Sequence, residues 1–171
     1  MKNPTSIIAG SPAKLATPTD LGEQARQAIS ASLNPLIADA FALFVKTKNF
    51  HWHVSGSHYR DYHLLLDEHA MQIFAMIDVL AERVRKLGGT TIRSVEHIAR
   101  LQKIKDDNDN FVAPKDMIRR LMEDNKEYVA RIRVAHQVCD DHHDIATASL
   151  LEVFTDETER RIWFLYETQA E

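Results

Sequence analysis

Apolar positions recur along this chain in the three- and four-residue steps that place them on one face of an α-helix. Leu36, Ala40, Leu43 and Phe44 form one such stripe, and Met117, Leu121, Tyr128, Ile132 and Ala135 form another. Between them, residues 64–66, Ile73, Phe74, Ile77, Val79 and Leu80 make an unusually apolar stretch. Punctuation residues divide the pattern into elements. Asp20 and Glu23 have the spacing of a capping box at the start of a first helix that ends near His53. Asn34-Pro35 falls inside that run and predicts a bend or a restart, because proline removes a helical hydrogen bond. Residues 54–57 read as a short turn, and a second helix is expected over 58–87, stopped by Gly88-Gly89. Structureless connections as long as residues 90–114 are uncommon. Val95, Ile98, Leu101 and Ile104 accordingly predict a short helix over 94–104, with the polar run 106–110 behind it. A third long helix starts after Pro114, and a fourth runs over 144–168.

The second helix carries acids where a core face is expected. With His63 set at zero, a turn of about 100° per residue puts Asp67 near 40°, Asp78 near 60° and Glu82 near 100°. All four therefore share a face, among apolar neighbours in which a carboxylate is costly unless paired or bound to metal. Taken singly, each acid reads as a solvated helix charge and His63 as a part-buried core histidine, with Arg83 or Arg85 as salt-bridge partners. Taken together they favour ligation. Asp78 lies roughly 22 Å along the axis from His63, too far for one metal ion, whose ligands stand within about 2–2.5 Å. A twofold axis laying two copies of the helix antiparallel closes the gap, giving two equivalent sites per dimer. His51, returned to the same end by the turn, adds a second imidazole. Two imidazoles with three carboxylates suit iron, or zinc or manganese, and suit soft metals poorly.

The segments that carry this chemistry resemble a known family. Residues 46–56 (KTKNFHWHVSG), then His63-x-x-x-Asp67-Glu68-His69 and Asp78-x-x-x-Glu82-Arg83-Val84-Arg85-Lys86-Leu87-Gly88, are similar to the Dps mini-ferritins, the DNA-binding proteins from starved cells. The match is dense over about forty residues and compatible with the chain from about 20 to 170. The resemblance implies a homo-oligomer, a dodecamer built from twofold dimers, with ferroxidase centres at the dimer interface and His51, His63, Asp67, Asp78 and Glu82 as iron ligands. It also implies oxidation of Fe(II) by hydrogen peroxide or dioxygen, storage of Fe(III) mineral in a hollow shell and protection from oxidative damage. Trp52 by itself reads as a core aromatic; in the family a tryptophan at this position lies close to the iron and can supply an electron, which implies a redox role.

Four long helices with a long connection between the second and third predict an all-α, ferritin-like four-helix bundle with a short extra helix in that crossover. Such bundles commonly hold di-iron sites on Glu-x-x-His pairs, yet none of the nine histidines has Glu three positions before it. That absence again moves the metal to a subunit interface. His69 points away from the His63 face and reads as a core or hydrogen-bonding residue, while His53 and His58 flank the turn.

At 171 residues with 44% hydrophobic and 27% charged positions, the chain suits one globular domain, assigned to residues 21–171. Residues 1–20, rich in Ser, Thr, Pro and Ala, read as a flexible tail. Cys139 is the only cysteine, which excludes an intrachain disulfide. No membrane span and no cleavable leader is expected, so the expected location is cytoplasmic, or nucleoid-associated if DNA is bound. Net charge is −4 and the tail offers only Lys2 and Lys14 against Asp20, so a DNA-binding, nucleoid-packing role ranks second. Asp141, Asp144 and Glu152 are candidates for an acidic entry pore, with helix capping by Asp144 as the plainer alternative. His142 and His143 read as solvated turn residues. A structural bundle with a degenerate site is disfavoured, because all five family ligand positions are intact.

Overall fold

Two helical hairpins pack against each other in the computed structural model, which describes residues 15–169. The first pairs α1 (Glu23–His53) with α2 (Tyr59–Lys86), and the second pairs α4 (Pro114–Asp141) with α5 (Ile145–Glu167). The crossover between them carries the short α3 (Val95–Leu101). Helix α1 is central, touching α2, α3 and α4. It therefore buries side chains on several sides, among them Ile29, Leu33, Ile37, Leu43 and Phe50. That packing makes α1 apolar enough, by length and composition, to cross a membrane.

Two local expectations are corrected at α1. The helix starts at Glu23 behind Gly22, with no side-chain cap, so the Asp20 capping box does not form. Pro35 neither breaks nor restarts the helix. Its missing hydrogen bond is offset by buried neighbours Leu33, Leu36 and Ile37 and by Asn34 Nδ2, which donates to the carbonyl of Thr90 at 3.0 Å.

Helix α2 ends as its glycines require. Gly88 sits at φ 78°, a left-handed conformation that closes the helix. A Cβ on Gly89 would come within 2.5 Å of Ser30 Oγ, so the α1–α2 contact needs glycine there. The end of α2 also holds the chain before α1: Thr17 Oγ1 donates to the Arg85 carbonyl at 2.8 Å, and Arg85 Nη2 donates to the Leu15 carbonyl at 2.9 Å. The rest of the expected tail, residues 1–14, lies outside the described residues.

Helix α3 stops at Leu101, three residues short of the expected Ile104. Fully buried Asp39 explains the early stop, because its Oδ1 accepts from the backbone amides of Lys103 and Ile104. Its other oxygen accepts from Arg131 Nε at 2.8 Å, which supplies the counter-charge a buried carboxylate needs. Arg120 bridges Asp107 and Asp109, both at 2.7 Å, and fixes the polar run behind α3.

Candidate metal centre

The α1–α2 turn brings the last turn of α1 against the second turn of α2, and with them His51 against His63. Their rings stack with centroids 3.8 Å apart. His51 Nδ1 lies 2.8 Å from the His63 carbonyl, and His63 Nδ1 lies 2.9 Å from the His51 carbonyl. A carbonyl only accepts, so both Nδ1 atoms carry the proton and both Nε2 lone pairs are left for a metal. Asp67 joins them, its Oδ1 3.9 Å from His51 Nε2.

The same Asp67 oxygen accepts from Lys48 Nζ at 2.7 Å. That hydrogen bond is the main reason the Asp67 carboxyl is held below the usual carboxylate range, against a smaller opposing effect of burial. Lys48 was not singled out in the sequence, although its place three residues before His51 puts it on the same face of α1. Its ammonium also lies 6.0 Å from the Trp52 ring centroid. Trp52 is 63% exposed, which removes the core-aromatic reading.

Asp78 and Glu82 are exposed farther along α2 and are not brought to the histidines. Glu82 pairs with Lys86 at 3.3 Å. The salt-bridge partners offered by the sequence are engaged elsewhere: Arg83 with Asp144, and Arg85 with backbone carbonyls. Among the described residues, no three His, Cys, Asp or Glu side chains of one chain form a metal-binding group. His63 with Asp67, and Asp78 with Glu82, thus form two separate groups along α2, with the exposed side chains of Met71 and Phe74 between them.

His69 is buried against Phe164, and burial, reinforced by Arg161 and Arg160, pushes its pKa down to about 3. It is a neutral core residue. The three acids placed at a pore have different environments. Asp144 is buried and caps α5: its Oδ1 accepts from the Thr147 amide at 3.1 Å and from Arg83 Nη2 at 2.7 Å. Both of its oxygens are engaged within the chain, in the capping role offered as the plainer alternative. Asp141 is exposed and accepts from Gln137, while Glu152 faces His136. His142 closes α4, and His143 adopts φ 58° in the turn.

The family model described as a ferritin-like domain matches residues 30–171. A DNA protection during starvation protein of Brevibacillus brevis is 31% identical, over 82% of this chain and 93% of that protein. The chain belongs to the Dps family of ferritin-like proteins. A low temperature-induced protein of Nostoc is 34% identical, over 85% of this Dps-family chain and 82% of its own length. Among solved structures, DpsC from Streptomyces coelicolor superposes with a TM-score of 0.86 at 29% identity, covering 89% of each chain. The expected all-α Dps fold, with its extra helix in the crossover, is thus the observed one.

Proposed function

We propose that this protein is a ferroxidase and iron store whose centres are shared between chains. The observation that carries the reading is the preset pair His51 and His63, with both Nε2 atoms free of hydrogen and Asp67 beside them. Setting two α2 helices antiparallel so that His63 meets Glu82 and Asp67 meets Asp78 also sets Met71 of one chain against Phe74 of the other. The two largest exposed apolar groups between the half-sites then cover each other, as a self-complementary interface requires. Iron enters as substrate and would be held by His51, His63 and Asp67 of one chain with Asp78 and Glu82 of its mate.

Two ferrous ions give one electron each to hydrogen peroxide, which takes up two protons and leaves as two waters. Electron delivery in a pair avoids the hydroxyl radical that a single electron would release. Dioxygen is the alternative oxidant. In this reading Fe(III) accumulates as mineral in a dodecameric, cytoplasmic shell, and Trp52, close to the site and exposed, supplies a further electron when only one ferrous ion is bound. Lys48 holds the Asp67 oxygen that lies nearest His51, so the ammonium acts as a stand-in cation beside the histidines. Asp67 would offer a metal that oxygen on losing the ion pair, or its other oxygen without losing it.

DNA binding is the second reading, supported by the names of relatives such as the Brevibacillus brevis protein. Against it stand the net charge of −4 and the sparse lysines of the tail. The deciding experiment is Fe(II) titration of metal-free protein with peroxide and oxygen in separate runs, beside His51→Ala/Asp67→Ala. The variant should lose oxidation under both oxidants; unchanged rates would sink the proposal.

A further inference from the structure

The last turns of α4 and the second turn of α5 bring together His136, Asp140 and Glu152, away from the metal face of α2. His136 Nε2 lies 3.3 Å from Glu152 Oε1, and its Nδ1 lies 3.3 Å from Asp140 Oδ2. A neutral imidazole has a single N–H, so it can satisfy only one of these two carboxylates. Its other nitrogen would then turn a lone pair toward an oxygen, acceptor against acceptor. A cation at that nitrogen removes the conflict, either a second proton or a metal ion.

The surroundings suit a metal. A carboxylate beside one nitrogen is the usual device that orients an imidazole whose other nitrogen binds metal, and it strengthens that nitrogen as a ligand. Asp140 stands one helical turn beyond His136 and is placed for this part. Glu152 comes from the other helix of the hairpin, which is closed by the Asp144 amide donating to the Cys139 carbonyl at 2.9 Å. The His136 side chain is 26% exposed and Glu152 68%, so water can reach and complete a coordination sphere. The neighbouring charges are engaged with each other, Arg133 with Glu159 one turn earlier and Asp141 with Gln137.

We propose that His136 Nε2 and Glu152 form a second, water-completed site for a first-row divalent cation of the zinc or ferrous class, with Asp140 as the positioning residue. One nitrogen and one carboxylate make a borderline donor set that selects such ions over soft ones. With only two protein ligands the site exchanges its ion readily, in contrast to the interfacial centre. It lies within one hairpin and does not depend on the dimer.

Zinc is the probe, because peroxide and oxygen do not oxidise it. Calorimetric titration of the intact shell, in a His63→Ala/Asp78→Ala background that silences the interface, should show one exchangeable zinc per chain. His136→Ala should abolish that binding, Glu152→Gln should weaken it, and Asp140→Asn should weaken it by about tenfold. Crystals soaked in zinc should give an anomalous peak about 2.1 Å from His136 Nε2. Equal zinc binding with and without His136, in variants of unchanged helical content, would overturn the proposal, as would a soaked crystal with no peak there. Either result reduces the trio to an ion-paired clasp between α4 and α5. Both leave the interfacial ferroxidase untouched, since that is read with iron in the chain with the native His63 and Asp78.

Discussion

His51 and His63 each place Nδ1 on the other's main-chain carbonyl, at 2.8 and 2.9 Å, so two helices lock each other's imidazoles in the metal-binding tautomer. Asp67 stands beside them, and Asp78 and Glu82, the remaining ligands of the proposed shared centre, face solvent farther along the same helix. Complementation between chains follows. His63→Ala and Asp78→Ala should each be inactive, yet subunit exchange between them should restore about a quarter of the sites, because each mixed dimer holds one intact centre. Absence of recovered peroxide-driven iron oxidation, with mixed dimers verified by mass, would count against shared sites.

Lys48 holds an Asp67 oxygen at 2.7 Å, and in the proposed centre it would compete with metal for that oxygen. Lys48→Ala should therefore bind zinc at the interfacial centre roughly two- to five-fold more tightly, the range expected for loss of an ion pair that solvent still reaches. The acid limb of zinc binding should also move to higher pH, because the Asp67 carboxyl loses the hydrogen bond that depresses its pKa. Weaker binding in calorimetry would instead make Lys48 a positioning group.

Phe74 and Met71 occupy the middle of the proposed twofold contact. Phe74→Asp buries like charges near the axis and should shift the shell to smaller species in light scattering, with iron oxidation lost although all five ligands are present. A variant that assembles and oxidises iron normally would place the interface elsewhere.

Asp141 and Asp144 separate pore from cap. Asp141→Asn should slow iron uptake at low salt without changing the melting temperature, as a carboxylate that concentrates cations predicts. Asp144→Ala should act mainly on stability, costing about 1–3 kcal/mol through loss of the α5 cap and the Arg83 charge-assisted bond. Melting curves beside stopped-flow uptake distinguish the two. An uptake rate unaffected by Asp141→Asn would remove the pore.

DNA retention, if present, should reside in residues 1–14 and fall steeply with salt, whereas iron oxidation should be insensitive to moderate salt. Deletion of residues 2–14 spares the Leu15 and Thr17 contacts with Arg85 and should abolish retention while leaving oxidation intact. Firm binding by the wild-type shell near physiological salt, in gel-shift assays, would reverse the ranking of the two functions.

The helical periodicity, the glycine stop at Gly88 and the start of α5 behind Asp144 were legible because they depend on backbone rules acting over a few residues. The placement of His63, Asp67, Asp78 and Glu82 on one face was legible for the same reason: a helix converts spacing directly into direction. Other features needed contacts between residues far apart in sequence. Pro35 stays helical because packing on α1 outweighs its local preference. The end of α3 is set by Asp39, more than sixty positions earlier. The engagement of Asp144 by Arg83 depends on a contact with α2, sixty-one positions away. The reciprocal tautomer lock and the claim of Lys48 on Asp67 join α1 to α2, and His136 meets Glu152 only across the α4–α5 hairpin. Local pattern thus determined which residues share a helix face, and tertiary packing decided which of those faces meet, because burial and long-range hydrogen bonds outweigh the small free energies of local preference.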